Sequence, residues 1–308
     1  MKRLLVTGRH GFVGTTLARM FAGESARGGW QLAEVPVDLD LVDPAQTLAV
    51  VRAAAADAVV HLAAISNVPE SFRDPEATLR VNVLGTLHLL QALKGEGFRG
   101  PVLFVGTGDV YGLVPEAELP IDERRLPAPR NPYSVSKLAA EALCWQWTVT
   151  EGLDIRLARP FNHIGPGQAE AFAVSSFARQ IADIRGGRRD AVVDVGDIDV
   201  TRDFTDVRDV VHAYLLLLER GAPGEIYNVC SGRECSLREI LGRLARLAGV
   251  EVTIREDAAR LRRAEQRRVR GDAAKIRAAT GWEASTPIDE SLGAMLRFWD
   301  DETTGRDG

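Results

Sequence analysis

Residues 3–23, "RLLVTGRHGFVGTTLARMFAG", run a short apolar strand into a glycine-spaced turn and on into an amphipathic helical pattern. An apolar run without alternation is a strand buried on both faces, and both faces are covered when helices cross between parallel strands. The same unit recurs. "WQLAEVPV", "DAVVHLAA", "PVLFVGT" and "LDIRLARP" read as strands, with "AQTLAVVRAAA", "VNVLGTLHLLQAL" and "NPYSVSKLAAEALCWQWTV" as the helices between them. This order predicts an α/β fold with a doubly wound parallel sheet. After Pro160 the regularity fails: "FNHIGPGQ" reads as loop, and strand–helix character resumes near Tyr214 and Tyr227. No repeat or low-complexity linker interrupts the chain. A smaller C-terminal substrate-binding region is therefore expected to be interleaved with the sheet. Residues 1–165 with a return at 206–232 would bind a dinucleotide, and 166–205 with 233–308 the substrate.

Composition narrows the class. Hydrophobic residues at 45% and charged residues at 26% are ordinary for a globular chain of 308 residues. A net charge of −5 gives no basic surface for nucleic acid. Neither "MKRLLVTG" nor "VVHAYLLLLERG" is long enough to span a membrane. Three cysteines (Cys144, Cys230, Cys235) lack metal-ligand spacing and read as reduced thiols in a cytoplasmic protein. His10, His88 and His212 have no companion ligands, so no metal is expected; His61, on a buried strand, reads as hydrogen-bonded core.

The glycine turn, placed after the first strand, reads as a nucleotide-binding end, with a plain tight turn as the alternative. Glycines let the backbone approach a pyrophosphate resting against a helix N-terminus. Gly8, Arg9, Gly11, Phe12, Val13 and Gly14 are the candidates there. Asp38, expected at the end of the second strand, would favour a free ribose hydroxyl, whereas Arg9 would pair with a 2′-phosphate. NADPH and NADH both stay open. Asp40 and Leu41 would lie against the adenine, although Asp40 equally suits a helix cap. Leu62 and Ala63 offer small residues where a cofactor backbone passes.

In "NPYSVSK", Asn131 suits an N-cap and Pro132 the first helical position. Tyr133 and Lys137 then share one helix face. The ammonium should draw the phenol below its ordinary value, leaving a proton donor or acceptor near neutrality. A plain surface pair is the alternative. Thr107, at a strand end in "VGTGDVYG", supplies a hydroxyl. Asn82 is read as structural, His163 as pocket-lining or structural, and Trp145 and Trp147 as packing.

Together "TGRHGFVG", "VGTGDVYG", "NPYSVSK" and "RPFNHIGPGQ" resemble the extended short-chain dehydrogenase/reductases that act on nucleotide sugars, from residue 3 to about 285. "VGDIDVTRDFTDV" and "RRAEQRRVRGDAAKIRAATGW" bring the resemblance nearest to enzymes reducing a GDP-linked 4-keto-6-deoxy sugar, and to their 4,6-dehydratase relatives. The resemblance implies that Thr107 holds the sugar O4 and Tyr133 is the general acid. Lys137 would bind the nicotinamide ribose. Gly108, Asp109, Asn162, Arg202, Arg262 and Glu265 would contact the substrate, and the long helix would form a homodimer. Seven arginines in 260–277 make a local anion site plausible in an acidic chain, with a solvated basic helix as the alternative. Arg202 is read at a strand edge.

Three activities compete. A 4-ketoreductase needs Thr107, Tyr133 and Lys137. A 4,6-dehydratase also needs an acid and a base after the threonine, where this chain has Gly108 and Asp109, one methylene short of glutamate. An epimerase is a milder variant of that reading. A silent NAD(P)-binding regulator would be expected to have lost Tyr133 or Lys137.

Overall fold

A computed structural model describes residues 1–22, 29–257 and 266–304. The first half reads β1 (Lys2–Thr7), α1 (Phe12–Ala22), β2 (Trp30–Leu32), α2 (Pro44–Ala54) and β3 (Ala58–His61). Then come α3 (Val68–Arg73), α4 (Pro75–Leu79), α5 (Gly85–Gly95), β4 (Val102–Val105), α6 (Pro132–Glu151) and β5 (Ile155–Pro160). The second half holds β6 (Asn162–Ile164), α7 (Ala173–Arg185), β7 (Val192–Val195), β8 (Thr201–Asp206), α8 (Val207–Arg220) and β9 (Ile226–Val229). It closes with β10 (Glu234–Ser236), α9 (Leu237–Ala248), β11 (Thr253–Glu256), α10 (Ala274–Thr280) and α11 (Ile288–Thr304).

The main sheet has the order β2-β1-β3-β4-β5-β9, and every neighbouring pair is parallel. This is the Rossmann-type doubly wound sheet expected. Its inner strands are buried because α1 and α8 cover one face and α2, α5 and α6 the other. The winding reverses between β1 and β3, and a crevice opens at that switch point beyond the strand ends. A three-stranded sheet, β10-β8-β6, and a pair, β11-β7, belong to the second half. There α7, α9 and α11 enclose a core around Phe177, Ile181, Leu244, Met295 and Trp299. No helix among the described residues is long and apolar enough to cross a membrane.

Three local readings change. The second strand ends at Leu32, with Ala33 N donating one more bond to Leu4 O (2.9 Å). Pro36 lacks the N–H to continue the ladder, so Asp38 lies exposed beyond the sheet. The helix read over residues 81–93 opens as a wider π-type turn, Arg80–Leu84, that holds Asn82 before α5 begins. "FNHIGPGQ" contains β6, whose Asn162 stands opposite Phe204 of β8; three residues are too few to show a period in sequence.

α6 forms as read. Asn131 Oδ1 accepts Ser134 N (2.7 Å), and Ser134 Oγ accepts Asn131 N (3.3 Å), a reciprocal cap with Pro132 in the first turn. Such caps stabilise a helix by about 1 kcal/mol. The buried face of α6 carries Lys137, Glu141 and Cys144. Glu141 grips Arg159 of β5 in a forked pair (2.6 and 2.8 Å). The guanidinium also sits 4.8 Å from the ring centre of Tyr111. That contact ties α6 and β5 to the turn that Thr107 begins.

Candidate active site

A cleft of about 1010 Å³ opens at the carboxyl ends of β1, β3, β4 and β5 and reaches into the second half. At its inner end lies the glycine turn. Gly8 has φ +71°, and a Cβ there would come within 2.7 Å of Ala63 N. A Cβ on Gly14 would meet Gly8 O at 2.5 Å. Both glycines are therefore required by backbone packing, which leaves a side-chain-free cradle before the N-terminus of α1. The cradle fits a dinucleotide pyrophosphate. Gly8, Gly11, Phe12, Val13, Gly14, Leu62 and Ala63 all line the cleft.

The other nucleotide candidates fall elsewhere. Arg9 Nη1 donates to Ala33 O (3.0 Å), fixing the guanidinium at the end of β2. Asp38 lies exposed beyond the end of β2. Asp40 Oδ1 accepts Val42 N (2.8 Å) and builds a local turn. Leu41 is buried, and its Cβ lies 3.1 Å from where a Gly85 Cβ would stand.

Thr107, Tyr133 and Lys137 meet on the cleft wall. Thr107 ends the strand side and caps the turn Gly108–Tyr111, its Oγ1 accepting Asp109 N (3.2 Å). The Thr107 hydroxyl lies beside the Tyr133 phenol. Lys137 Nζ donates to Val105 O (2.8 Å) and lies 5.2 Å from the Phe104 ring centre. Burial lowers Lys137 to about 8. The expected pull on Tyr133 is reversed. Burial pushes the phenol above its ordinary value, the Asp109 charge adds to this, and the Thr107 hydroxyl opposes it. The ammonium lies one helical turn away and is committed to a backbone carbonyl, so the phenol stays protonated at neutrality.

Asn82 is more than helix interior. Its Oδ1 accepts Ile65 N (2.8 Å), and its Nδ2 donates to Ile65 O (3.0 Å) and to Ser136 Oγ (2.8 Å), while Ser136 Oγ donates to Tyr133 O. The loop after β3 is thereby tied to the Tyr133 helix. His61 is core, as read, bridging Thr7 Oγ1 (2.6 Å) and Thr86 Oγ1 (2.9 Å). Burial lowers it to about 3, so it is neutral. His163 lines the cleft, with its ring stacked 5.9 Å from that of Phe12. Trp147 packs against the core, but Trp145 is 53% exposed and packs on nothing in the core.

On the substrate side, Asp109, Asn162 and Arg202 line the cleft. Gly108 does not: a Cβ there would meet the Phe161 ring at 3.1 Å. Arg202 belongs to β8, the middle strand of its sheet and not an edge. Its Nη1 donates to Thr201 O (2.7 Å) and Gln266 O (2.9 Å). Arg262 and Glu265 lie outside the described residues. Residues 266–273 are not helical, which removes the basic-helix reading for Arg267, Arg268 and Arg270. Arg267 pairs with Asp197, and Arg268 with Glu234 and Glu116. Among the cleft residues unread in the sequence are Ser66, Asn67, Glu170 and Tyr214; Gln168, which also lines the cleft, ends the motif "RPFNHIGPGQ" without a role read for it.

Comparison with known proteins bears on this geometry. Residues 33–295 match the family described as GDP-mannose 4,6 dehydratase. The chain is 53% identical, over 97% of both lengths, to GDP-6-deoxy-D-mannose reductase of Pseudomonas aeruginosa. It is 32% identical to a dTDP-glucose 4,6-dehydratase of Streptomyces antibioticus, covering 97% of this chain and 92% of that one. A solved structure described as RMD from Pseudomonas aeruginosa complexed with NADPH superposes with a TM-score of 0.93 at 52% identity, over 98% of this chain and all of that one. A glycine cradle at the switch point and a threonine–tyrosine–lysine set on one wall accord with those relatives: the chain belongs to the GDP-mannose 4,6-dehydratase family within the extended short-chain dehydrogenase/reductases.

Proposed function

We propose that this chain reduces the 4-keto group of GDP-4-dehydro-6-deoxy-D-mannose with NADPH, giving GDP-D-rhamnose. One observation carries the choice over elimination: Gly108 faces the Phe161 ring and offers no acid to the cleft. Asp109 beside it is a shortened base. The relative named as a GDP-6-deoxy-D-mannose reductase, at 53% identity, supports the same reading.

When bound, NADPH supplies the hydride for C4. Tyr133 gives its proton to O4 as charge develops there, and its raised pKa keeps that proton in place until then. The Thr107 hydroxyl shares the developing negative charge, a contribution felt most in the transition state. Lys137 would hold the nicotinamide ribose hydroxyls. Arg202 would meet the diphosphate, and Arg262 and Glu265 are proposed as further nucleotide contacts. In this reading residues 1–165 and 206–232 serve the cofactor, and 166–205 and 233–308 the sugar nucleotide. The test follows NADPH absorbance with the GDP-linked keto sugar. Consumption supports the reductase; keto-sugar formation from GDP-mannose without net cofactor use makes the chain a dehydratase instead.

NADPH is preferred over NADH here because the Arg9 guanidinium is held at the end of β2 by its bond to Ala33 O. Arg9→Ala should weaken NADPH binding about 10- to 100-fold, the range for a hydrogen bond to a charged group. NADH binding should barely change. Calorimetric titration of both cofactors checks this, and an equal loss for the two would remove Arg9 from phosphate recognition.

The exposed side of α6 carries Val135, Ala139, Ala142 and Val149, and Leu84 is exposed at the start of α5. Small and apolar residues at helical spacing suit close helix packing, so the proposed assembly is a homodimer through these helices. Light scattering should give twice the chain mass, falling to one chain in Ala142→Arg; a single-chain mass for the unaltered protein ends the dimer reading. The three cysteines are free thiols, which suits a cytoplasmic setting.

A further inference from the structure

In the reading above, the sugar nucleotide reaches from the turn after β4 to β8, and one side chain outside the cleft joins those two places. Thr107 and Asp109 line the cleft after β4, and Arg202 lines it from β8. Gln266 is no part of the cleft wall, yet it is bonded to both sides. Its main-chain oxygen accepts Arg202 Nη1 (2.9 Å), which also donates to Thr201 O (2.7 Å). Its side-chain amide closes on Val114: Oε1 accepts Val114 N (2.8 Å), and Nε2 donates to Val114 O (2.8 Å). Nε2 donates again to Arg268 O (2.8 Å), so both amide hydrogens are used and the group has one orientation. A glutamate has no hydrogens to give those two carbonyls. Val114 is buried and closely follows Tyr111, the end of the turn that Thr107 caps. Val110 and Tyr111 are wholly buried, and Gly112 N donates to Asp109 O (3.2 Å), so the turn and Val114 form one packed piece. Further along, Ile121 N donates to Arg270 O and Asp272 N to Ile121 O (2.9 Å each). Those bonds keep the two stretches together without Gln266. What Gln266 adds is their spacing at the end next to Arg202.

We propose that Gln266 is a positioning residue that fixes the span between Arg202 and Thr107. With the diphosphate held at Arg202, that span decides whether the sugar's C4 carbonyl arrives at Thr107 and Tyr133. This rests on the reductase reading above. Gln266 touches neither substrate nor cofactor, and it acts through the two pieces it holds in register. Reacting groups tolerate little misplacement, even when its source is remote from the chemistry.

The test uses the purified chain, unaltered and as Gln266→Leu, which keeps the bulk and removes the amide. Calorimetric titration measures GDP, which needs only the Arg202 side, and NADPH, which needs only the glycine cradle. Steady-state kinetics with the GDP-linked keto sugar needs both. The variant should bind GDP and NADPH as the unaltered chain does, with KM for the keto sugar little changed. Its kcat should fall about 10- to 100-fold, the cost of misplacing reacting groups by about 1 Å. An unchanged kcat, whatever the thermal midpoint, makes Gln266 structural only and overturns the assignment. A raised KM with kcat kept, or GDP affinity lost by the same factor as kcat/KM, overturns it too, because Gln266 would then serve the nucleotide site alone. If Gln266→Leu does not fold, Gln266→Asn, one methylene too short to reach Val114, gives the same comparison with the same outcomes. If the unaltered chain does not consume NADPH with the keto sugar, the reductase reading itself fails. Turnover by the unaltered chain that the variant matches overturns only the present proposal.

Discussion

Tyr133→Phe should lower kcat on the GDP-linked keto sugar by about 10²- to 10⁴-fold, the usual contribution of a positioned general acid. The same factor should appear in kcat/KM, because the proton is needed only in the transition state. NADPH affinity should stay within a few-fold, since the ring keeps its place at the start of α6 and the cradle of Gly8 and Gly14 is untouched. Thr107 remains to share the oxyanion, so some activity persists. Steady-state kinetics with a separate cofactor titration gives both quantities. A variant keeping more than about a tenth of the activity would remove Tyr133 from the acid role. The sign of the pKa shift matters here. A phenol raised by burial and by Asp109 is fully protonated at neutral pH, which suits a donor and would hamper a base.

Glu141→Ala is expected to cost about 3–5 kcal/mol, the penalty for leaving a buried charge without its partner. Arg159 is only 2% exposed, and its Nη1 already lacks an acceptor, so water cannot replace the carboxylate. The damage should reach the site as well. Arg159 stacks on Tyr111, the last residue of the turn that Thr107 caps, and Glu141 shares the α6 face of Lys137. Denaturant unfolding should show a lower midpoint, and the folded variant should lose activity at saturating substrate. Replacing both partners by leucine should restore much of the stability, because apolar pairs of similar volume tolerate such burial. A loss under about 1 kcal/mol in Glu141→Ala would mean the pair is not what holds α6 to β5.

The parts legible in the sequence are those whose backbone geometry dictates residue type. Gly8 and Gly14 are required by backbone contacts, and Asn131-Pro132 by the start of a helix, so the cradle and the Tyr133 face could both be read directly. What was not legible depends on neighbours far along the chain. Pro36 keeps β2 from continuing and leaves Asp38 exposed beyond it, while the Arg9 guanidinium is fixed at the strand end by Ala33 O. β6 is a strand only because β8 lies beside it. The direction of the Tyr133 shift depends on depth of burial and on where the Lys137 amine points, neither of which spacing reveals. Gly108 looked like a missing acid; the fold adds that Phe161 occupies the space a side chain would need.

β9 completes the main sheet after β6, α7, β7, β8 and α8 have intervened. During synthesis, β5 therefore waits with an open edge until Val229 has emerged. Its sequence, IRLARP, is buried at every position in the finished fold. An unpaired apolar edge is a template for another chain. A chain stopped before Ile226 would thus offer a half-finished sheet to its neighbours. The nascent protein is most prone to aggregate in that interval, and the last strand protects it from this as well as enlarging its sheet.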